Sequence, residues 1–336
     1  MPWRGTADPY AIWLSEIILQ QTRVDQGTPY FNSIYDKYPN VFSLADANEE
    51  DVLRLWQGLG YYSRARNLLK CAAVIVEKFD GKFPEDLPSL KNLPGIGPYT
   101  AAAIASLAFN KPTPVVDGNV YRVLARVYGV GTDISTHKAR KEFEDLSGRL
   151  MPKELAGEYN QALMEFGALQ CTPANPDCFD CPFKMNCYAR ENGAVAQLPV
   201  KKNKAKQKTV HFHYIVFSRE NRIWMKKRPS GGIWQGLYDF YLFESDAPLA
   251  PEDIYLEGNL PLTDFSLTFF PAYNHILSHR KINARFYLAS LDGCQIIPNM
   301  LNNGGSFYDY DEIHELPKSI LADKFLKDNL FTKFIN

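Results

Sequence analysis

Two kinds of side chain in this 336-residue chain could do chemistry that the rest could not. The first is a set of thiols. Four of the six cysteines, Cys171, Cys178, Cys181 and Cys187, are spaced C-x6-C-x2-C-x5-C. Thiolates gathered on one short loop suit a tetrahedral metal centre, either zinc or a four-iron cluster. Spacings of six, two and five depart from the paired CxxC of zinc ribbons, which favours the cluster. Cys71 and Cys294 stand alone and read as small buried apolar residues. The second kind is a carboxyl group in unusual company. Glu16 has Ile12, Trp13, Leu19 and Gln20 as its three- and four-residue neighbours on a helical pattern. That largely apolar collar raises a carboxyl pKa and keeps it protonated near neutral pH.

The elements that must position these groups differ across the chain. Up to about residue 200, apolar residues recur at helical spacing with Pro, Gly, Asp and Asn between the runs. Asp8-Pro9 opens a helix over Tyr10–Thr22 with Leu14, Ile17, Ile18 and Gln21 on one stripe. Similar patterns predict helices over Asp25–Tyr38, Asn48–Trp56, Ser63–Phe79, Tyr99–Asn110, Asn119–Tyr128, His137–Leu150 and Glu158–Leu169. Leu93-Pro-Gly-Ile-Gly-Pro-Tyr99 makes a tight turn between two helices, with Gly95 and Gly97 exposing backbone N–H groups that can hold a phosphate oxygen or a bridging cation. Asp117, ahead of Gly118-Asn119 and a helix, is placed as an N-cap.

Residues 201–208 carry five lysines and no acid, and read as a linker: a solvated tether, or one lying along phosphates. Beyond it, His211–Ser218, Arg222–Lys226 and Asn283–Leu291 alternate or are β-branched and aromatic. An all-α part therefore precedes a smaller α/β part. The longest near-apolar run, Tyr99 to Phe109, is 11 residues and too short to span a bilayer. No charged-then-apolar leader opens the chain, so a cytoplasmic location and no membrane partner are expected. Net charge is −1, so no global positive field advertises a polyanion.

The hairpin, then Val115-Val-Asp-Gly-Asn-Val120, then the cysteine loop together resemble the helix-hairpin-helix DNA glycosylases that carry a [4Fe–4S] cluster. Trp13-Leu-Ser-Glu-Ile-Ile-Leu-Gln-Gln-Thr22, Gly58-Leu-Gly-Tyr-Tyr-Ser-Arg-Ala-Arg-Asn67 and a Nudix-like tail narrow the resemblance to the adenine DNA glycosylases of the MutY type. The resemblance implies a six-helix barrel module with the hairpin over residues 1–117, an iron–sulfur cluster module over 118–197, a linker over 198–209 and a Nudix-like lesion-recognition domain over 210–336. It implies a monomeric enzyme that flips out and excises adenine mispaired with 8-oxoguanine, or with guanine, in double-stranded DNA.

The same resemblance assigns roles. Glu16 protonates adenine N7. Asp117 stabilises the oxocarbenium-like sugar, with Asn119 as its hydrogen-bonding partner. Relatives that resemble endonuclease III place a lysine after the hairpin, which forms a Schiff base and cuts the strand. Here that residue is Tyr99, which has no amine, so a monofunctional glycosylase is expected. Gln20, Gln21 and Thr22, with Tyr61, contact DNA, and Gln21 and Tyr61 wedge into the stack. The four cysteines hold the cluster. The family's Phe-Ser-His reader of 8-oxoguanine is Leu277-Ser278-His279 here, which keeps both polar groups. Glu244, Glu252 and Glu257 are too scattered for a Nudix hydrolase box, so pyrophosphate hydrolysis is not expected. Two other classes are compatible with parts of the pattern: a pyrimidine-damage glycosylase/lyase, opposed by Tyr99 and the tail, and a non-enzymatic DNA-binding module, opposed by Glu16 and Asp117.

Overall fold

The first helix shows how the sequence builds this molecule. In the computed structural model, Asp8 accepts hydrogen bonds from the backbone N–H groups of Tyr10 and Ala11, and Pro9 opens α1 (Pro9–Leu19). The helix is apolar nearly all round, and Trp13, Leu14 and Ile18 are fully buried, each contributing about 1.5–3 kcal/mol. The helix ends at Leu19, three residues before the periodicity suggested. Thr22 N–H turns back to the Leu19 carbonyl, and Gln21 takes a left-handed φ of 60°. Gln21 therefore does not continue the α1 stripe. The structure describes residues 1–202, 207–250, 253–258, 267–277, 280–292, 301 and 304–330. Ser278, His279, Glu252 and Cys294 lie outside them, as does part of the lysine-rich stretch.

Contacts divide the chain into two units: Met1–Ala47 with Asn67–Lys204, and Asn48–Arg66 with Ala205–Asn336. The first unit is helical. After α1 come α2 (Val24–Lys37), α3 (Val41–Ala45), α4 (Glu49–Leu55, which belongs to the second unit), α5 (Ser63–Phe79, whose start up to Arg66 also belongs to the second unit), α6 (Leu87–Lys91), α7 (Pro98–Leu107), α8 (Gly118–Tyr128), α9 (His137–Leu150), α10 (Ala156–Leu169) and α11 (Tyr188–Glu191). α1 packs on α2 and α7, and α10 packs on α7 and α8.

The second unit is built on a mixed sheet. Its strands are β1 (Lys208–Arg219), β2 (Arg222–Lys227), β3 (Tyr238–Asp239), β4 (Tyr241–Ser245), β5 (Leu267–Phe269), β6 (Tyr273–Ile276), β7 (Arg280–Ser290) and β8 (Gly305–Tyr308), with short helices α12 (Asp253–Glu257) and α13 (Tyr310–Glu315) and the longer α14 (Ile320–Asn329). β1 pairs in parallel with β7 and antiparallel with β2 and β4. Glu220 and Asn221, both at positive φ, turn β1 into β2, the backbone that a tight two-residue hairpin needs. Phe212 to Phe217 are buried on both faces. Phe286 stacks on Tyr214 at 4.7 Å and on Phe325 of α14 at 4.2 Å, which fastens that helix to the sheet. Among the described residues, no helix is long and apolar enough to cross a membrane.

Candidate active site

Three helices of the first unit bring their ends or middles to one cleft of about 1210 Å³. Glu16 comes from the middle of α1, Tyr99 from the first turn of α7, and Asp117 and Asn119 from the start of α8; all four line the cleft. Gln20, Gln21, Thr22, Gly95 and Gly97 line it as well. Gln20 is tied in place, its amide donating to Thr100 Oγ1 at 3.2 Å. Gly95, in the turn between α6 and α7, has φ +76°, and a Cβ there would lie 2.7 Å from Asn67 Cβ. Tyr61 belongs to the other unit, and the four cysteines do not line the cleft.

The electrostatics separate the two carboxyl groups. Burial pushes the Glu16 pKa up to about 7. The Tyr99 hydroxyl opposes that by hydrogen bonding, the Asp117 charge adds to it, and Arg4 opposes it. Tyr99 is itself driven well above the usual phenol range, first by burial and then by both carboxylates, so it remains a hydrogen-bond donor. Asp117 caps α8 through Oδ1, which accepts from Val120 N–H at 2.7 Å, while Oδ2 accepts from the Asn119 amide at 2.8 Å. Cap and cleft-facing carboxylate are thus one residue.

Four participants escaped the sequence reading. Arg4 forms an ion pair with Glu165 of α10 at the cleft wall. Arg122 Nη2 donates to Asn119 Oδ1 at 2.8 Å and to the Gly167 carbonyl at 2.5 Å, and its Nε donates to the Cys171 carbonyl at 2.6 Å. Arg126, one turn on, donates to the carbonyls of Thr172, Pro173, Val195 and Leu198. The signal available for Arg122 and Arg126 was their spacing from Asn119, which puts all three on one helix face. Arg4 and Glu165 pair across 161 positions, and nothing local announces that. At Gly167, a Cβ would lie 2.7 Å from Asn119 Cβ, so glycine is what lets α10 come this close.

The cysteine loop carries the four thiols that could hold a metal centre. Its four thiols are free and half-buried. Burial pushes the Cys181 thiol up, and Cys171, Cys187 and Cys178 add repulsion, so those three sulfurs lie within electrostatic reach of it. Arg126 Nη1 approaches Cys171 Sγ at 3.4 Å, and the Cys187 thiol donates to the Arg126 carbonyl at 3.4 Å. Among the described residues no three ligand side chains meet closely enough for a single ion.

Comparison with known proteins gives the family of both parts of the chain. Residues 14–149 match the HhH-GPD superfamily base excision DNA repair proteins, and residues 213–328 match the NUDIX domain. An adenine DNA glycosylase of Buchnera aphidicola from Acyrthosiphon pisum is 36% identical over 282 residues, covering 83% of this chain and 80% of that one. The chain belongs to the adenine DNA glycosylase family. The human adenine DNA glycosylase is 43% identical over 207 residues, 59% of this chain and 38% of its own. A thermostable thymine-DNA glycosylase superposes with a TM-score of 0.53 at 30% identity, covering 57% of this chain and 88% of its own. An endonuclease III trapped covalently on DNA superposes at 0.50 and 26% identity, covering 55% and 85%. The enzyme is a base excision repair glycosylase that acts on N-glycosyl bonds, a helix-hairpin-helix domain joined to a Nudix-like one.

Proposed function

We propose that this glycosylase binds double-stranded DNA as a monomer and excises adenine mispaired with 8-oxoguanine, or with guanine, without cutting the strand. One observation carries the reading: Glu16 and Asp117 line one cleft while burial holds the Glu16 pKa at about 7. Glu16 gives its proton to adenine N7. The C1′–N9 bond then breaks with its electron pair going to N9, and Asp117 faces the positive charge left on the sugar. Water adds to C1′ and loses a proton, leaving free adenine and an abasic site. Asn119 fixes the orientation of Asp117, and the Tyr99 hydroxyl, which also reaches Met164 Sδ at 3.6 Å, tempers the Glu16 pKa by hydrogen bonding. Tyr99 offers no amine where a lyase would form its imine.

Gly95 and Gly97 present backbone N–H groups to phosphate, and Gln20, Gln21, Thr22 and Tyr61 enter or flank the opened stack. Leu277, Ser278 and His279 read 8-oxoguanine from the C-terminal part. The division into 1–117, 118–197, 198–209 and 210–336 belongs to the same reading. Cys171, Cys178, Cys181 and Cys187 hold a [4Fe–4S] cluster, whose chemistry here is to cross-link their loop. Support for DNA binding comes from the endonuclease III structures, which are DNA complexes.

The test is base release from matched duplexes carrying A opposite 8-oxoguanine, A opposite guanine and A opposite thymine. Release from the first two, with no covalent adduct on borohydride trapping, is the expected result. Equal release from all three would remove the mismatch reading, and an efficient adduct would remove the monofunctional one.

A further inference from the structure

Residues Asn48–Arg66 lie in the middle of the helical sequence, yet they form one compact unit with the sheet. Two contacts are ion pairs with exposed partners: Lys227 Nζ to Glu50 Oε1 at 2.9 Å, and Arg54 Nη1 to Glu315 Oε2 at 2.8 Å. Pairs this exposed contribute little. Two others reach backbone. Lys318 N–H donates to Gln57 Oε1 at 3.1 Å, and Arg66 Nη1 donates to the Gln235 carbonyl at 2.7 Å.

Both backbone partners are themselves immobilised. Lys318 is 2% exposed, and its ammonium donates to the carbonyls of Ile313 at 2.8 Å and Leu316 at 3.0 Å. Gln235 sits in a loop closed by Arg228 N–H to the Leu237 carbonyl and Gly236 N–H to the Arg228 carbonyl. Gly236 has φ +81°, and a Cβ there would lie 3.2 Å from Leu53 of α4, so the loop is packed directly on that helix.

Gln57 and Arg66 bracket the loop that carries Tyr61. Tyr61 is 45% exposed and holds φ at +50°, a backbone state that a bulky residue keeps only when its surroundings hold it. Inside the loop, Trp56 Nε1 donates to the Gly60 carbonyl at 3.0 Å, and the Arg64 guanidinium lies over both the Trp56 and Tyr61 rings. We infer that Gln57 and Arg66 are positioning residues: by tying the two ends of this loop to the backbone at Lys318 and Gln235, they set the pose in which Tyr61 enters the base stack. The inference rests on the wedge role proposed for Tyr61. It makes the sheet-bearing unit the holder of the wedge.

The experiment uses the full chain and a duplex with 2-aminopurine, a fluorescent adenine analogue, opposite 8-oxoguanine. The rise in fluorescence on mixing reads unstacking of the target base. Gln57→Ala/Arg66→Ala should lower that amplitude to the level of Tyr61→Ala. Adding Tyr61→Ala to the double variant should lower it no further, because both changes remove one function. Gln57→Glu/Arg66→Lys keeps an acceptor and a donor and should restore the amplitude. An additive loss, or a loss that follows a lowered melting temperature and is not restored by the conservative pair, would overturn the inference. So would a full amplitude in the double alanine variant while Tyr61→Ala loses it, and the wedge reading would then stand. If Tyr61→Ala itself keeps the amplitude, both fall.

Discussion

A carboxyl group that ionises at about 7 instead of 4.5 is held protonated at the expense of the fold. The folded-state pKa of Glu16 is above its unfolded value, so the native state binds more protons between pH 4.5 and 7. Stability is therefore lost as pH rises through that window, by up to about 3 kcal/mol. Glu16→Gln removes the penalty. The variant should melt above the wild type at pH 8 and level with it at pH 4, a comparison one calorimetric series would make. The same change should cost at least ~10²–10⁴-fold in single-turnover base release, since an amide cannot donate the proton. Retention of more than a tenth of the rate would show that another group is the acid. Much of this was legible in the sequence, because the neighbours of Glu16 that make its surroundings apolar are its own helical neighbours. Arg4, which tempers the shift, was not, because it reaches the cleft through its pairing with Glu165, a residue far along the chain.

Helix α8 does more than its length suggests. Its N-cap is Asp117, its first turn carries Asn119, and its later turns carry Arg122 and Arg126. Four carbonyls of the cysteine loop and of the segment that follows it depend on the Arg126 guanidinium, and the residue is only 3% exposed. Arg126→Met would leave those acceptors unpaired at a cost of ~1–3 kcal/mol each where no water replaces it. The expected outcome is a lower melting temperature and, with the proposed [4Fe–4S] cluster on the loop, paler protein and less bound iron on metal analysis. Normal iron content and melting would show that the loop holds itself. Periodicity located this helix to within a residue, and α5 and α9 to both end residues. It failed at the end of α1 because no glycine or proline marks the stop; Gln21 simply adopts a left-handed backbone. It also could not show that the far end of α8 clamps the cysteines, since that depends on hydrogen bonds to residues 45 or more positions away.

For the molecule as a whole, the sheet has its own acid sensitivity. His213 is fully buried, its ring nitrogens 3.0 Å from Tyr287 OH and Ser245 Oγ, and burial with the nearby Arg285 and His211 charges lowers its pKa to about 4. With the folded value below the unfolded one, stability is lost as pH falls from about 6.5 towards 4, by up to about 3 kcal/mol. Denaturant titrations followed at the C-terminal unit should show that slope, and His213→Phe should flatten it. An unchanged slope would assign the sensitivity to other groups. The broad division into helical and sheet-bearing parts could be read from a change of period near residue 200. The membership of Asn48–Arg66 could not, because its helical pattern is the same whichever unit buries it. That membership also sets an order of assembly. Synthesis delivers Gln57 261 residues before its partner Lys318, roughly 13–50 s at ~5–20 residues per second. Leu53, on which the Gly236 loop packs, is fully buried in the finished unit, so this short apolar stretch waits for its partners while the rest of the chain is made.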